Sequence, residues 1–260
     1  RAADSTVPAE SMRTEAQVED DMAQTIREAD GLVVVLCSPQ NIDRLVTTYR
    51  ACLRAGRDIV VDLYGADVAA ATGRDTIPRP SPDWPRVHVY LTARQRAQVE
   101  DSGELHRAAA AKPHRIFTEH LVAEPSRYVL FGAYQSELRR LLAPAGPNVG
   151  VVAWSLWDGY LAEPSGVTLR QRLEAAGVPF IHHHTSGHAT PEHLRQLVEA
   201  ISPTRTVPIH TRAPRDLLAI NGGEHDVVGD REWWSVRHGG LSAAPSSTPA
   251  EGDDPASTVA

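Results

Sequence analysis

Lysine is nearly missing from this chain: of 26 basic residues only Lys112 is a lysine, and the rest are arginine. The bias reads as codon composition, not as a binding surface. A formal net charge of −7 argues against nonspecific coating of nucleic acid, which rests on many phosphate contacts by Lys and Arg, while leaving room for a nucleolytic enzyme with a local basic groove. Cysteine is as scarce. Cys37 and Cys52 alone are too few for a disulfide framework or a cysteine-built metal site, and both are expected as buried free thiols. No apolar run approaches the ~18 residues of a membrane span, and no secretory signal pattern is present. No membrane association and a cytoplasmic location are therefore the expectations. No repeat with a period of about 20 to 50 residues is visible. Glycine is absent from Cys37-Ser38-Pro39-Gln40-Asn41, the turn after the first expected strand. That disfavours a nucleotide-binding doubly wound protein, whose phosphates need a Gly-rich loop there.

What is present is a long alternation of helix and strand patterns. Thr14 and Gln17 form a capping box, and Val18, Met22, Ile26 and Ala29 recur on one helical face up to Asp30-Gly31. The run from Leu32 to Leu36 is continuously apolar and β-branched, as in a parallel strand buried on both faces. Ser38 is expected to cap a second helix, with Pro39 in its first turn and Ile42, Leu45, Val46, Tyr49 and Leu53 as its buried stripe up to Gly56. A strand over 58–63 follows, then a Pro-rich loop, a strand over 87–91 and a helix over 93–110. Next come a strand over 128–131, a helix over 135–142 and a strand over 149–154. A second block reads as helix 169–175, strand 178–183, helix 191–201, strand 206–209 and short strands around Val227 and Trp233. The order implies an α/β protein with a mostly parallel sheet and helices on both faces. Beyond Arg237 the composition is Gly, Ser, Ala, Pro, Thr and acid, which reads as a disordered tail.

Two histidines carry the chemical signal. His188, in Ser186-Gly187-His188-Ala189, directly precedes a helix whose N-cap is Thr190 and whose first residue is Pro191. Free amides and the positive end of the helix dipole favour an anion there. Gly187 permits close approach and Ser186 offers a donor, so a phosphate or leaving-group oxygen suits the spot. A plain Ser-Gly turn beside a cap is an equally weighted alternative. His210 ends the expected strand containing Pro208, a place to present a zinc ligand or simply a surface histidine. Asp4-Ser5-Thr6 on its own is a turn or cap.

Taken together these segments resemble the β-CASP branch of the metallo-β-lactamase superfamily, the group of ribonuclease J and the cleavage and polyadenylation endonucleases. Asp4-Ser5-Thr6 resembles its motif A, Ser186-Gly187-His188-Ala189 its motif B and Pro208-Ile209-His210 its motif C. The stretch from Ser38 to Arg44 followed by Gly56-Arg57 resembles the first helix of the inserted β-CASP domain. The resemblance implies residues 1–6 as the end of the first half of a metallo-β-lactamase domain, 7–164 as the β-CASP domain, and 165–237 as the C-terminal part of the αββα sandwich. The tail is then 238–260. It implies His210 as a ligand to one of two zinc ions, His188 as general acid with Asp4 sharing its proton, and Ser186 and Gly187 as substrate-binding residues.

The superfamily's His-x-His-x-Asp-His run is absent. One histidine does not hold zinc when such sites use three or four protein ligands. The opening Arg1-Ala2-Ala3 reads as the middle of a longer chain, so the expectation is the C-terminal portion of a zinc hydrolase, inactive alone and cleaving RNA or another phosphodiester when complete. The alternative is a noncatalytic subunit or degenerate paralogue that binds RNA or a partner, and a homodimer stays open. Trp154 to Tyr160 is read either as a cleft lining that stacks on bases or as a seal at the domain junction.

Overall fold

The computed structural model describes residues 13–132, 135–185, 189–209, 214–215, 234–237 and 240–243. Two compact units divide the chain, one formed by Arg13–Ser186 and the other by Arg1–Met12 with Gly187–Ala260.

In the first unit, helix α1 (Glu15–Glu28) starts at the expected capping box, where the Gln17 amide donates to Thr14 Oγ1 at 3.2 Å and the Thr14 amide to Gln17 Oε1 at 2.8 Å. Val18, Met22, Ala23 and Ile26 form its buried stripe. Strand β1 (Leu32–Leu36) is buried throughout. Helix α2 (Ile42–Ala55) ends at Gly56, whose φ of 75° is a left-handed cap that suits glycine. Its N-cap is Asn41 and not Ser38: the Asn41 side chain accepts from the Arg44 amide at 3.0 Å, whereas Ser38 accepts from the Gln40 amide in the turn before. The buried face also differs from expectation. Arg44, Leu45, Thr47, Thr48, Ala51 and Cys52 point inward, and Leu53 is exposed.

The chain continues through β2 (Asp58–Asp62), α3 (Leu63–Ala71), β3 (Val87–Tyr90), α4 (Ala93–Ser102), α5 (Leu105–Ala111), β4 (Arg115–Ile116) and α6 (Thr118–Ala123). It ends with β5 (Tyr128–Gly132), α7 (Gln135–Leu141), β6 (Val149–Trp154), α8 (Pro164–Ala175) and β7 (Phe180–His182). The single helix expected over 93–110 is two, separated at Gly103 with φ 69°. Elements α3, β4 and α6 have no counterpart in the sequence reading, and α8 begins at Pro164, well before residue 169.

Seven strands form one sheet in the order β4-β3-β2-β5-β1-β6-β7, with every pair parallel. The fold class is α/β. Alternate residues of each strand feed two cores. Val33, Val35, Ile59, Val129 and Val151 pack with α1, α2 and Ala69 of α3, while Leu32, Val34, Leu130, Val152 and Trp154 pack with Leu138 and Leu141 of α7 and Leu169 and Leu173 of α8. Burial on both faces is why these strands read as unbroken apolar runs. The neighbours β2 and β5 consequently send their chains over opposite faces, into α3 and α7, which creates a switch point at the carboxyl edge.

The expected boundary at residue 165 falls within this unit, because α8 and β7 belong to the parallel sheet. In the second unit, helix α9 (Pro191–Ile201) has its expected cap, Thr190 accepting from the His193 amide at 3.1 Å. Of the strand expected over 206–209, only an isolated bridge at Thr206 forms. Strands β8 (Trp234–Arg237) and β9 (Gly240–Ala243) pair antiparallel, so part of the stretch read as a disordered tail is a strand. The strand expected near Val227 lies outside the described residues. Among the described residues no helix is long and apolar enough to cross a membrane.

Candidate functional site

Five residues were singled out from the sequence: Asp4, Ser186, Gly187, His188 and His210. All five lie outside the described residues. Their flanks are described. Strand β7 runs with the other strands of the sheet, so its carboxyl end releases His183, His184 and Thr185 at the edge from which Ser186-Gly187-His188 continues. On the far side of those three residues, Thr190 and Pro191 open α9.

The root of that segment is held by a buried arginine that the sequence reading passed over. Arg44, on the first turn of α2, has a side chain only 1% exposed. Its Nη2 donates to Glu15 Oε1 at 2.8 Å, and Glu15 Oε2 accepts from the Thr47 hydroxyl at 3.0 Å. Its Nη1 donates to the backbone carbonyl of His183 at 2.6 Å and to Ser155 Oγ, and the Ser155 hydroxyl donates to the same carbonyl. Such a charge is tolerable only with this many partners, since an unpaired buried guanidinium costs several kcal/mol. Thr185 completes the clamp, its hydroxyl donating to the Arg13 carbonyl. The chain thus enters the unit at Arg13 and leaves it after Thr185 at one tied spot.

His183 turns back into the unit. Its Nε2 lies 2.8 Å from Thr25 Oγ1 on α1, and its Nδ1 is buried without a hydrogen-bond partner. Burial, with the charges of Arg13, Arg44 and His182 adding, pushes its pKa down to about 4. The ring stays neutral at ordinary pH and acts as a fixed polar wedge, not a proton carrier. His184 is pushed down as well, first by burial and then by Arg44. His182 instead faces outward, with Nδ1 3.0 Å from Asp158 Oδ1.

The aromatic stretch divides. Trp154 is fully buried and packs on Phe180 with ring centroids 6.0 Å apart, which joins β6 to β7. Trp157 stands about half exposed, edge-on to Tyr160 at 5.5 Å. Cys37 and Cys52 are free and buried, and burial raises both thiols far above their usual range. Among the described residues no group of three or more His, Cys, Asp or Glu is placed to hold a metal ion.

The signal for Arg44 was present but ambiguous. It shares a helical face with Thr47, Thr48 and Ala51, a polar residue at a buried-stripe position. Its partners Glu15, Ser155 and His183 are 29, 111 and 139 positions away.

Fold and site together define an α/β protein with an all-parallel seven-stranded sheet and a buried polar clamp where the chain enters and leaves it. No family model matches the sequence, and no curated protein matches it. Among solved structures the chain is similar to the crystal structure of a protein of unknown function from Enterococcus faecalis V583, with a TM-score of 0.54 and 16% sequence identity. The match covers 84% of this chain and 45% of that one. Identity at that level shows the fold alone, and the chain spans less than half the length of that relative.

Proposed function

We propose that this chain is the C-terminal portion of a metallo-β-lactamase-fold hydrolase of the β-CASP branch, zinc-dependent when complete and cleaving RNA or another phosphodiester. The observation that carries the reading is the start of α9, where Thr190 caps the helix by accepting from the His193 amide directly after the sequence Ser186-Gly187-His188-Ala189. In this reading the substrate phosphate approaches the α9 amides with Ser186 as a further donor, and Gly187 keeps the backbone close. His188 gives its proton to the departing oxygen, and Asp4 shares and orients that proton. His210 is one metal ligand; the others come from residues that this chain does not contain.

A second feature favours a larger assembly of the same polypeptide. Helix α9 has a strongly amphipathic sequence, yet none of its residues is buried, and Leu197 and Ile201 are 55% and 63% exposed. A helix with such a stripe normally covers an apolar layer, and in the proposed fold that layer is a sheet supplied by the missing half.

The test is to express the reading frame extended upstream of Arg1, measure zinc by mass spectrometry, and follow hydrolysis of end-labelled RNA. About two zinc ions per chain are expected. His188→Ala should lower turnover by about 10²- to 10⁴-fold with zinc unchanged, whereas His210→Ala should lower zinc content. A zinc-free extended protein, or equal loss of metal in both variants, overturns the proposal.

A further inference from the structure

A cavity of about 260 Å³ opens at the carboxyl edge of the sheet, away from the Arg44 clamp. It lies between Tyr90 at the end of β3, Thr118 at the start of α6, Glu137 and Arg140 on α7, and the turn from Ala143 to Gly146.

Glu137 dominates its chemistry. The side chain is 6% exposed, and its Oε1 accepts from the Tyr90 hydroxyl at 3.0 Å. That hydroxyl also lies 3.3 Å from Thr118 Oγ1. Arg140 Nε stands 3.8 Å from Oε1, at the outer limit of an ion pair, and its side chain is 55% exposed. Oε2 has no partner among the described residues. A carboxylate this buried ordinarily takes several donors, because each unpaired oxygen costs desolvation energy. Here one neutral hydroxyl and one distant guanidinium do the work, so the carboxylate has acceptor capacity to offer a ligand.

We propose that this cavity binds a guanine base through the Glu137 carboxylate, with Arg140 taking the phosphate of the same nucleotide. A carboxylate only accepts, and guanine is the base that presents two adjacent N–H groups, N1–H and the 2-amino group, to a pair of oxygens. Adenine would set its N1 acceptor against the carboxylate, and uracil flanks its single N–H with carbonyls. Leu141, Ala143 and Ala145 supply apolar wall for the base faces. The volume falls below the roughly 300–1,000 Å³ of drug-sized sites and suits one base. Single-stranded RNA is read in this manner, by hydrogen bonds to Watson–Crick edges. Base binding goes beyond the hydrolase reading and does not depend on cleavage, so its test needs no activity and fails or succeeds separately from that reading.

The full 260-residue chain is titrated with GMP, IMP, AMP, guanosine and free arginine by calorimetry. GMP is expected to bind saturably and IMP, which lacks the 2-amino group, about tenfold more weakly. AMP should bind at least about a hundredfold more weakly than GMP. Glu137→Gln should weaken GMP at least about tenfold. Arg140→Ala, on the exposed rim, should weaken GMP while leaving guanosine unchanged, with an unaltered circular-dichroism spectrum showing that the variant is folded. Absence of saturable GMP binding overturns the proposal, as does AMP within about threefold of GMP, arginine binding as tightly as GMP, or an Arg140→Ala variant that binds GMP as the unaltered chain does.

Discussion

Replacing Arg44 by methionine tests whether the buried clamp holds the end of β7. Methionine keeps much of the aliphatic stem's volume, so the change removes the guanidinium without opening a large cavity. Three groups then lose a donor. Glu15 is 43% exposed and keeps the Thr47 hydroxyl, so it rehydrates, and solvent screening reduces the ion-pair share to about 1 kcal/mol. Ser155 and the His183 carbonyl are buried, and although they keep their bond to each other, each loses a charge-assisted hydrogen bond of roughly 1.5 kcal/mol. Part of this is offset. Arg44 Nε is buried without a partner, and methionine carries no charge to desolvate, which returns about 1 kcal/mol. A net loss of about 3 kcal/mol remains, and for a unit of this size it lowers Tm by roughly 6–12 °C. Calorimetric melting measures the size, and hydrogen exchange measures the place. Protection should fall in the first turn of α1 and over His183–Thr185 and stay unchanged in β1 and β5. A Tm drop below about 1 °C, or loss spread evenly over the sheet, would refute the reasoning.

His183 titrates at 6.5 when unperturbed and at about 4 in the fold. Between those values the unfolded chain binds more protons, so its contribution to stability is full above about pH 6.5 and is lost as pH falls through 4, by roughly 3 kcal/mol. His183→Gln, which can keep the Thr25 hydrogen bond, should flatten that part of a urea-unfolding pH profile; parallel profiles for variant and unaltered chain would contradict the burial argument. Gly31 admits no side chain, since a Cβ there would lie 2.4 Å from the Asn148 carbonyl oxygen and 2.9 Å from the Gly150 amide nitrogen. Gly31→Ala should therefore cost about 2 kcal/mol by forcing β1 and β6 apart, read as a lowered urea midpoint, and an unchanged midpoint would show that the backbone yields freely.

Legibility in the sequence followed the source of each element's stability. Helix α1 and strands β1, β5 and β6 were readable because their burial is purely apolar and their caps are local. Helix α2 ends at Gly56 as expected, but it starts at Ile42, three residues later than a Ser38 cap implies, and its inward face differs. Apolar periodicity favours Leu53 and cannot register that Arg44, Thr47 and Thr48 are buried against partners from other elements. Helix α3, Leu-Tyr-Gly-Ala-Asp-Val-Ala-Ala-Ala, has a glycine in its first turn and no stripe, and its start is fixed by Asp62 accepting from the Gly65 amide at 2.7 Å. Strand β4 has two residues, too few for any period. At the candidate site the Thr190 cap was legible because it is local, whereas the clamp was not, because a side chain satisfied across 139 positions leaves no trace in spacing.

The clamp bears unequally on the two residues proposed to share a proton. Asp4 lies nine positions before Arg13, a reach of up to about 30 Å of extended chain, so tying Arg13 to Thr185 constrains its position little. His188 lies three positions after Thr185, within about 10 Å of an anchored atom. The buried His183 ring and the Arg44-bound carbonyl fix the backbone at His183 itself. A residue that must present an imidazole to a leaving oxygen gains most from a short, fixed tether, because misplacement by about 1 Å can cost a hundredfold in rate. The energetic cost of burying Arg44 is thus borne at the end of β7, three positions before the Ser186-Gly187-His188 sequence begins.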